Sequence, residues 1–278
     1  MAGFTSYNDI LAAIVANQVI TGEATFPGGD EPFTLFKSGP TCQGAGTWMS
    51  LWYATGFPAA GVSPAVTPGT AYDDTAGGIL FQPDQSPLIK HLLSWGAHSS
   101  VQASYLLYDR LVGVAGVALA APGNQTIESV ALPRYTDGIG VCAALEISTP
   151  STAAGTFSLN SYTNEHDAES AGPSFSLPAA VTVLRAWIPV PLKAGDHGIK
   201  HASTINMSVV ATAAVCTFVL YKPLAVLALP TSCWNEKDLV LQLAALPCIY
   251  DGATLALLQM PTATTATTFW SQLRAAYN

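Results

Sequence analysis

The stretch Ser104-Tyr105-Leu106-Leu107-Tyr108-Asp109-Arg110-Leu111-Val112-Gly113-Val114-Ala115-Gly116-Val117-Ala118-Leu119 decides the fold class. Rich in Tyr, Leu and Val, it reads as two strands, 104–107 and 112–119. The turn Ala121-Pro122-Gly123-Asn124 follows, then strands at 126–132 and 140–147. Strand after turn at this spacing is the rhythm of a sandwich. Upstream, Trp48-Met49-Ser50-Leu51-Trp52-Tyr53 reads as a compact aromatic strand. A long loop, 56–78, follows with Pro58, Pro64, Pro68 and Asp73-Asp74, and 89–95 fits a strand or a short helix. Downstream, strands are expected at 155–162, 181–187, 203–221, 225–229, 239–246 and 254–260. Pro189, Pro191, Pro223, Pro230, Pro247 and Pro261 end or flank them. No fixed-period repeat and no second large core is evident, so residues 46–278 are expected to form one β domain.

The first 45 residues read differently. Ser6 can cap a helix over 6–18 with Asp9 three residues on, and Ile10, Leu11, Ile14 and Val15 line up as one apolar stripe. Residues 21–40 carry Gly22, Pro27, Gly28, Gly29, Pro32, Gly39 and Pro40, and read as an extended connector. A helical arm over 1–45 follows; its stripe must find cover on a neighbouring copy, on another partner or on the chain's own sandwich, and a neighbouring copy is favoured.

Composition narrows the function. Only 10% of the 278 residues are charged and 50% are hydrophobic, so the chain can bury a large core and is no disordered segment. Ten Lys and Arg against 18 Asp and Glu give a net charge of −8, which argues against direct nucleic-acid binding. So sparse a charge leaves two ways to stay soluble: a partner covers part of the surface, or a Thr/Ser-rich β exterior suffices. Lys37 is the first basic residue, so the apolar stretch 10–20 lacks the front of a signal peptide. The most membrane-like window, 209–229, contains Lys222-Pro223 and reads as two consecutive strands. Cys42, Cys142, Cys216, Cys233 and Cys248 are odd in number with no C-x-x-C pair, and read as reduced, mostly buried thiols of a protein made in a cytoplasm.

No G-x-S-x-G, P-loop, G-x-G-x-x-G or H-E-x-x-H occurs. His197 and His201 stand four apart, but Gly195 and Gly198 make the segment a turn and no metal site is expected. Glu165-His166-Asp167-Ala168-Glu169 reads as a solvated loop. Asp109-Arg110 and Arg134-Tyr135-Thr136-Asp137-Gly138 stand out where charge is scarce. Arg110, Arg134 and Tyr135 are candidate interface anchors, or else a structural salt bridge and a turn. Trp48, Trp52 and Tyr53 fit core or interface packing, or a sugar-stacking platform.

Several segments together resemble a family of tailed-bacteriophage structural proteins encoded among head genes. They are Gly46-Thr47-Trp48-Met49-Ser50-Leu51-Trp52 running on to Gly61, Leu106 through Leu111, Leu132-Pro133-Arg134-Tyr135-Thr136-Asp137-Gly138-Ile139-Gly140-Val141, Leu220 through Ala225, and Tyr250-Asp251-Gly252-Ala253-Thr254-Leu255-Ala256-Leu257. The resemblance implies a jelly-roll-like β-sandwich, a virion component without catalytic residues, cofactor or metal, acting as a decoration or cement protein on the capsid exterior. Its partners would be the major capsid protein and further copies of itself, with a trimer suggested by analogy to decoration proteins at capsid three-fold positions. No nucleic acid and no membrane would be involved. The expected interface residues are Ile10, Leu11, Ile14, Val15, Trp48, Trp52, Arg110, Arg134 and Tyr135. The alternatives are a carbohydrate-binding β-sandwich or head-fibre or tail component for host adhesion and, further off, a hydrolase.

Overall fold

A computed structural model describes residues 6, 8–12, 31–38, 44–81, 89–150, 155–177, 183–209, 214–240 and 246–277. Its strands in chain order are β1 Glu31–Ser38, β2 Met49–Ser50, β3 Thr55–Phe57, β4 Thr70–Ala71, β5 Lys90–Ser99 and β6 Ala103–Ala118. Next come β7 Gly123–Thr126, β8 Cys142–Thr149, β9 Thr156–Asn164, β10 Glu169–Ser170, β11 Phe175–Ser176 and β12 Trp187–Val190. The last six are β13 Ile199–Val209, β14 Val215–Leu229, β15 Asn235–Asp238, β16 Cys248–Ile249, β17 Leu255–Pro261 and β18 Thr268–Tyr277.

The all-β sandwich expected from the sequence is what the chain forms, and among the described residues it is built from three antiparallel sheets. The central sheet runs β12-β8-β14-β6-β17-β2, with β4 also on β6. A five-stranded sheet, β10-β9-β13-β7 with β11 on β9, covers one half of it. A six-stranded sheet, β15-β5-β18-β1-β3 with β16 on β5, covers the other. The two longest strands, β6 and β14, pair from Ala103↔Leu229 to Ala118↔Val215 and so run through both halves. Their far ends, from Leu111 to Leu119 and from Cys216 to Leu220, join Leu145, Phe157, Leu159, Ile205 and Met207 in one core. Their near ends, Tyr105 and Leu107 with Ala225, Leu227 and Leu229, join Leu35, Trp95, Leu257 and Leu273 in the other. Each of these large side chains contributes roughly 1.5–3 kcal/mol by leaving water. The result is two sandwiches sharing one sheet, with a waist where β6 passes from one core to the other.

Several sequence expectations are corrected here. Residues 104–107 and 112–119 belong to one strand, and the intervening Asp109 and Arg110 stay in it because each meets an opposite charge, as described below. Residues 214–229 likewise hold a single strand. Pro223 is tolerated inside it because pairing with β8 ends at Tyr221, leaving β14 one neighbour there, and a bulge follows between Pro223 and Ala225. Residues 31–38 are no connector: β1 lies between β18 and β3, its breakers falling outside the strand or at Pro32 near its start. Lys37 on β1 is buried and its ammonium donates to the carbonyls of Ala54, Pro58 and Ala59 at 3.3, 2.7 and 3.2 Å, tying the chain on both sides of β3 to the sheet. The aromatic strand at 48–53 shrinks to Met49–Ser50, with Trp52 and Tyr53 in a turn. Strands β1, β3, β4, β10, β11, β15, β16 and β18 have no counterpart among the expected strands, and residues 241–245 of the segment 239–246 lie outside the described residues.

Helical backbone is described at 8–12, with Asp9 N–H donating to Ser6 Oγ at 3.2 Å as the cap predicted. Ile10 packs on Leu93 and Ala276 of its own chain, whereas Leu11 is exposed. Ile10 therefore finds its cover within the chain rather than on a neighbouring copy. Ile14 and Val15 lie outside the described residues, as does Cys42. Cys142, Cys216, Cys233 and Cys248 are free thiols. Among the described residues no helix is long and apolar enough to cross a membrane, and most of the window 209–229 is β14.

Candidate functional site at the waist

Alternation along β6 turns Asp109 and Arg110 to opposite faces of the central sheet. Arg110 Nη2 donates to Glu146 Oε2 of β8 at 2.7 Å, both side chains essentially without solvent exposure. Its guanidinium lies 5.0 Å from the Trp52 ring centroid and 4.9 Å from that of Tyr72, and Nη1 donates to Tyr108 Oη at 3.4 Å. Burial works against this charge, but Glu146 together with Tyr72, Tyr108 and Tyr53 more than offsets it and keeps the guanidinium protonated. Tyr108 meets Trp187 and Tyr221 at 5.1 and 5.5 Å, closing an aromatic cluster on that face. Burial pushes the Tyr108 hydroxyl well above its ordinary range, so it stays neutral.

On the other face, Arg134 grips Asp109 with two parallel bonds, Nε to Oδ2 at 2.9 Å and Nη2 to Oδ1 at 2.8 Å. Thr254 N–H adds a third donor to Oδ1 at 3.1 Å. Burial raises the Asp109 carboxyl above its usual range even so, with Arg134 and Thr254 pulling the other way. Arg134 Nη1 also reaches the exposed Asp73 at 3.2 Å. Tyr135 takes a positive φ of 52° and donates its hydroxyl to Cys248 O at 3.3 Å, its ring edge-on to Tyr250 at 4.8 Å. Lys222 Nζ stands 5.4 Å from the Tyr135 centroid and donates to Ile139 O at 2.6 Å. The turn expected at Asp137-Gly138 forms: Gly138 N–H donates to Tyr135 O at 2.7 Å, and Ile139 N–H to Asp137 Oδ1 at 3.1 Å.

The structure thus sets Arg110 and Trp52 on one face of the central sheet and Arg134 and Tyr135 on the other, and the four form no common surface. Arg110 and Trp52 are 0% and 1% exposed, so the interface role expected of them gives way to an internal one, and they form no sugar platform. Trp48 is half-buried against the same aromatic cluster, and Leu11 lies on the helix, away from the waist. Sequence reasoning missed Glu146, Asp73 and Lys37. The first two have a signal in hindsight: a buried Arg demands a carboxylate, and the chain has few to choose from.

The segments on which the family resemblance rests converge at this waist: Trp52, Asp109-Arg110, Arg134 to Gly138, Tyr221-Lys222 and Tyr250 to Thr254 are bonded or stacked to one another. A shallow groove of about 470 Å³ opens beside them, lined by Pro133, Arg134, Tyr135, Thr136, Asp137, Tyr250 and Asp251. Arg134 and Tyr135 face it already engaged with Asp109, Asp73 and Cys248, which suits holding the loop and not proton transfer.

The two histidine-bearing segments meet elsewhere, on the five-stranded sheet. Glu165 is no solvated residue: its carboxylate accepts His197 N–H at 2.8 Å and Gly198 N–H at 3.0 Å. Burial opposes its charge, but those N–H groups hold its carboxyl below the usual range. Asp196 accepts from Tyr162 Oη at 2.6 Å and from Asn164 Nδ2 at 3.0 Å. His201 faces Ser203 and Glu128, at 3.2 and 3.5 Å. Among the described residues no three of His, Cys, Asp and Glu are grouped as a metal site.

No family model matches the chain, and no curated protein does. Among solved structures it is similar to infectious bursal disease virus of the Gx strain, at 9% identity and a TM-score of 0.20 over 93% of this chain and 81% of that one. It is also similar to the infectious bursal disease virus VP2 subviral particle, at 8% identity and a TM-score of 0.19 over 97% and 86% of the two chains. At these TM-scores the likeness is weak.

Proposed function

We propose that this protein is a structural component of a tailed-phage virion, acting as a decoration or cement protein on the capsid exterior. The observation that carries the reading is the waist: where the two cores meet, Asp109 and Arg134, both in segments on which the family resemblance rests, form a buried ion pair, and Arg110 forms another with Glu146. In a chain so poor in charge, placing two Arg–carboxylate pairs out of water costs desolvation at each ion. A rigid, bivalent body is what a protein bridging a seam between capsomers requires, because each sandwich can engage one side while the waist resists their separation. Many such contacts on one particle make attachment effectively permanent. The partners in this reading are the major capsid protein and further copies of the chain, a trimer being the form suggested by three-fold capsid positions. The protein acts by binding and not by turnover.

Mass spectrometry of purified particles tests this directly. The chain is expected in intact virions at a fixed ratio to the major capsid protein; absence from them overturns the proposal. Light scattering on the isolated protein tests the self-association, with a monodisperse monomer at tens of micromolar counting against it.

A further inference from the structure

The outer face of the six-stranded sheet carries side chains that neither core uses. In one cross-strand row Phe36, Trp270 and His98 stand side by side; in the next stand Thr34, Gln272 and Gly96. Trp270 is 50% exposed and braced by the Phe36 ring at 4.4 Å. Trp234, 51% exposed, lies over Gly96, where a Cβ would come within 2.3 Å of its indole. A glycine inside a strand weakens it unless something must approach closely, and here that something is the indole. Gly96 and Trp270 are diagonal neighbours across β5 and β18, about 7–8 Å apart. Two exposed indoles are thus fixed on one flat face, with the Gln272 amide and the His98 imidazole between them. Neither of these two polar groups makes a hydrogen bond among the described residues.

We propose that this ledge binds a neutral oligosaccharide. A sugar ring presents an apolar C–H face for an indole and equatorial hydroxyls for an amide or imidazole, and the ledge alternates the same two chemistries. A protein partner calls for a contiguous apolar centre, whereas here the rings are separated by Gln272, His98 and Thr34. The charges on this face are exposed and opposite in sign: Glu236, cross-strand from Gly96, accepts from Ser94 Oγ at 2.8 Å, and Arg274 stands one row beyond Gln272. One charge of each sign, both in water, gives an anionic or cationic ligand no net advantage over a neutral one. The binding belongs to the free chain and stands or falls separately from its place on a particle.

The test uses the full-length protein on an array of neutral hexose and N-acetylhexosamine oligosaccharides beside sialylated and sulfated ones, followed by tryptophan-emission titration with the neutral glycans retained. Neutral glycans are expected to bind. Trp234→Ala and Trp270→Ala should each weaken them at least about ten-fold. Gly96→Val should do the same with both indoles still present, and Trp48→Phe should leave binding unchanged. Each variant's urea midpoint shows that it is folded. Retention of no glycan, of anionic glycans alone, or undiminished binding by Trp270→Ala overturns the proposal. So does loss of self-association in that variant without any sugar bound, which would assign the ledge to a second copy of the chain.

Discussion

The waist and the outer face of the six-stranded sheet invert the ordinary placement of side chains in opposite senses. At the waist, Arg110, Glu146, Asp109 and Arg134 sit inside, where charge is costly. On the outer face, Trp234 and Trp270 stand half in water, where apolar surface is costly. The first inversion is largely compensated within the chain by paired ions and three aromatic rings, with Arg110 Nε and Glu146 Oε1 left without a hydrogen-bond partner among the described residues. The second has no compensation within the described residues. A burial that closes on itself speaks of mechanical cohesion, and an exposure that does not speaks of something outside the chain.

The largest effect expected bears on how far the six-stranded sheet depends on the first 45 residues. Deleting residues 1–45 removes an interior strand, leaving β18 and β3 without the partner between them, and should exceed the roughly 5–15 kcal/mol that holds a domain folded. Deleting only residues 1–12 uncovers Leu93 and Ala276 and should cost about 1.5–3 kcal/mol, read from urea midpoints. A 46–278 fragment that folds normally would contradict this and restore the independent arm.

Next comes the waist itself. Glu146→Ala or Arg134→Ala leaves a buried partner ion unpaired and should cost about 3–5 kcal/mol in denaturant unfolding. Replacing Arg110 and Glu146 together by Met and Leu should recover most of that loss, since the penalty belongs to the orphaned charge. Single substitutions costing under about 1 kcal/mol would remove the distinction between waist and surface.

Lys37 gives a smaller effect with a defined sign. Burial lowers its ammonium to about 8 from 10.5. Between those pH values the unfolded chain holds the proton and the folded chain does not, so rising pH favours the fold. From pH 7.5 to 9.5 the wild type should gain about 1–3 kcal/mol relative to Lys37→Met; parallel pH profiles would show the ammonium to be hydrated. The smallest effect is on the outer face, where Trp234→Ala and Trp270→Ala should change stability by less than about 1 kcal/mol. A larger loss would make these rings part of the fold.

The all-β class was legible in Ser104–Leu119 and its successors, because aromatic and branched residues broken by Gly and Pro turns leave little else possible. The length of the strands was not. Asp109-Arg110 and Pro223 look like interruptions until one knows that Arg134, Glu146 and a bulge accommodate them, and those partners lie dozens of residues away. Strand β1 was hidden for a local reason: prolines and glycines crowd both sides of its eight residues. At the waist, Arg110, Arg134 and Tyr135 were recognisable by scarcity of charge, but whether they faced inward depended on tertiary pairing that no local pattern encodes. Trp234 and Trp270 attracted no notice, since nothing near either residue reveals that Gly96 seats one and Phe36 braces the other.

Differential scanning calorimetry of the full chain tests most directly whether the waist makes two sandwiches one body. One transition is predicted, with a calorimetric to van't Hoff enthalpy ratio of about 1. Two separable transitions, or a ratio well above that, would mean that the sandwiches unfold independently and that the buried pairs do not hold them together.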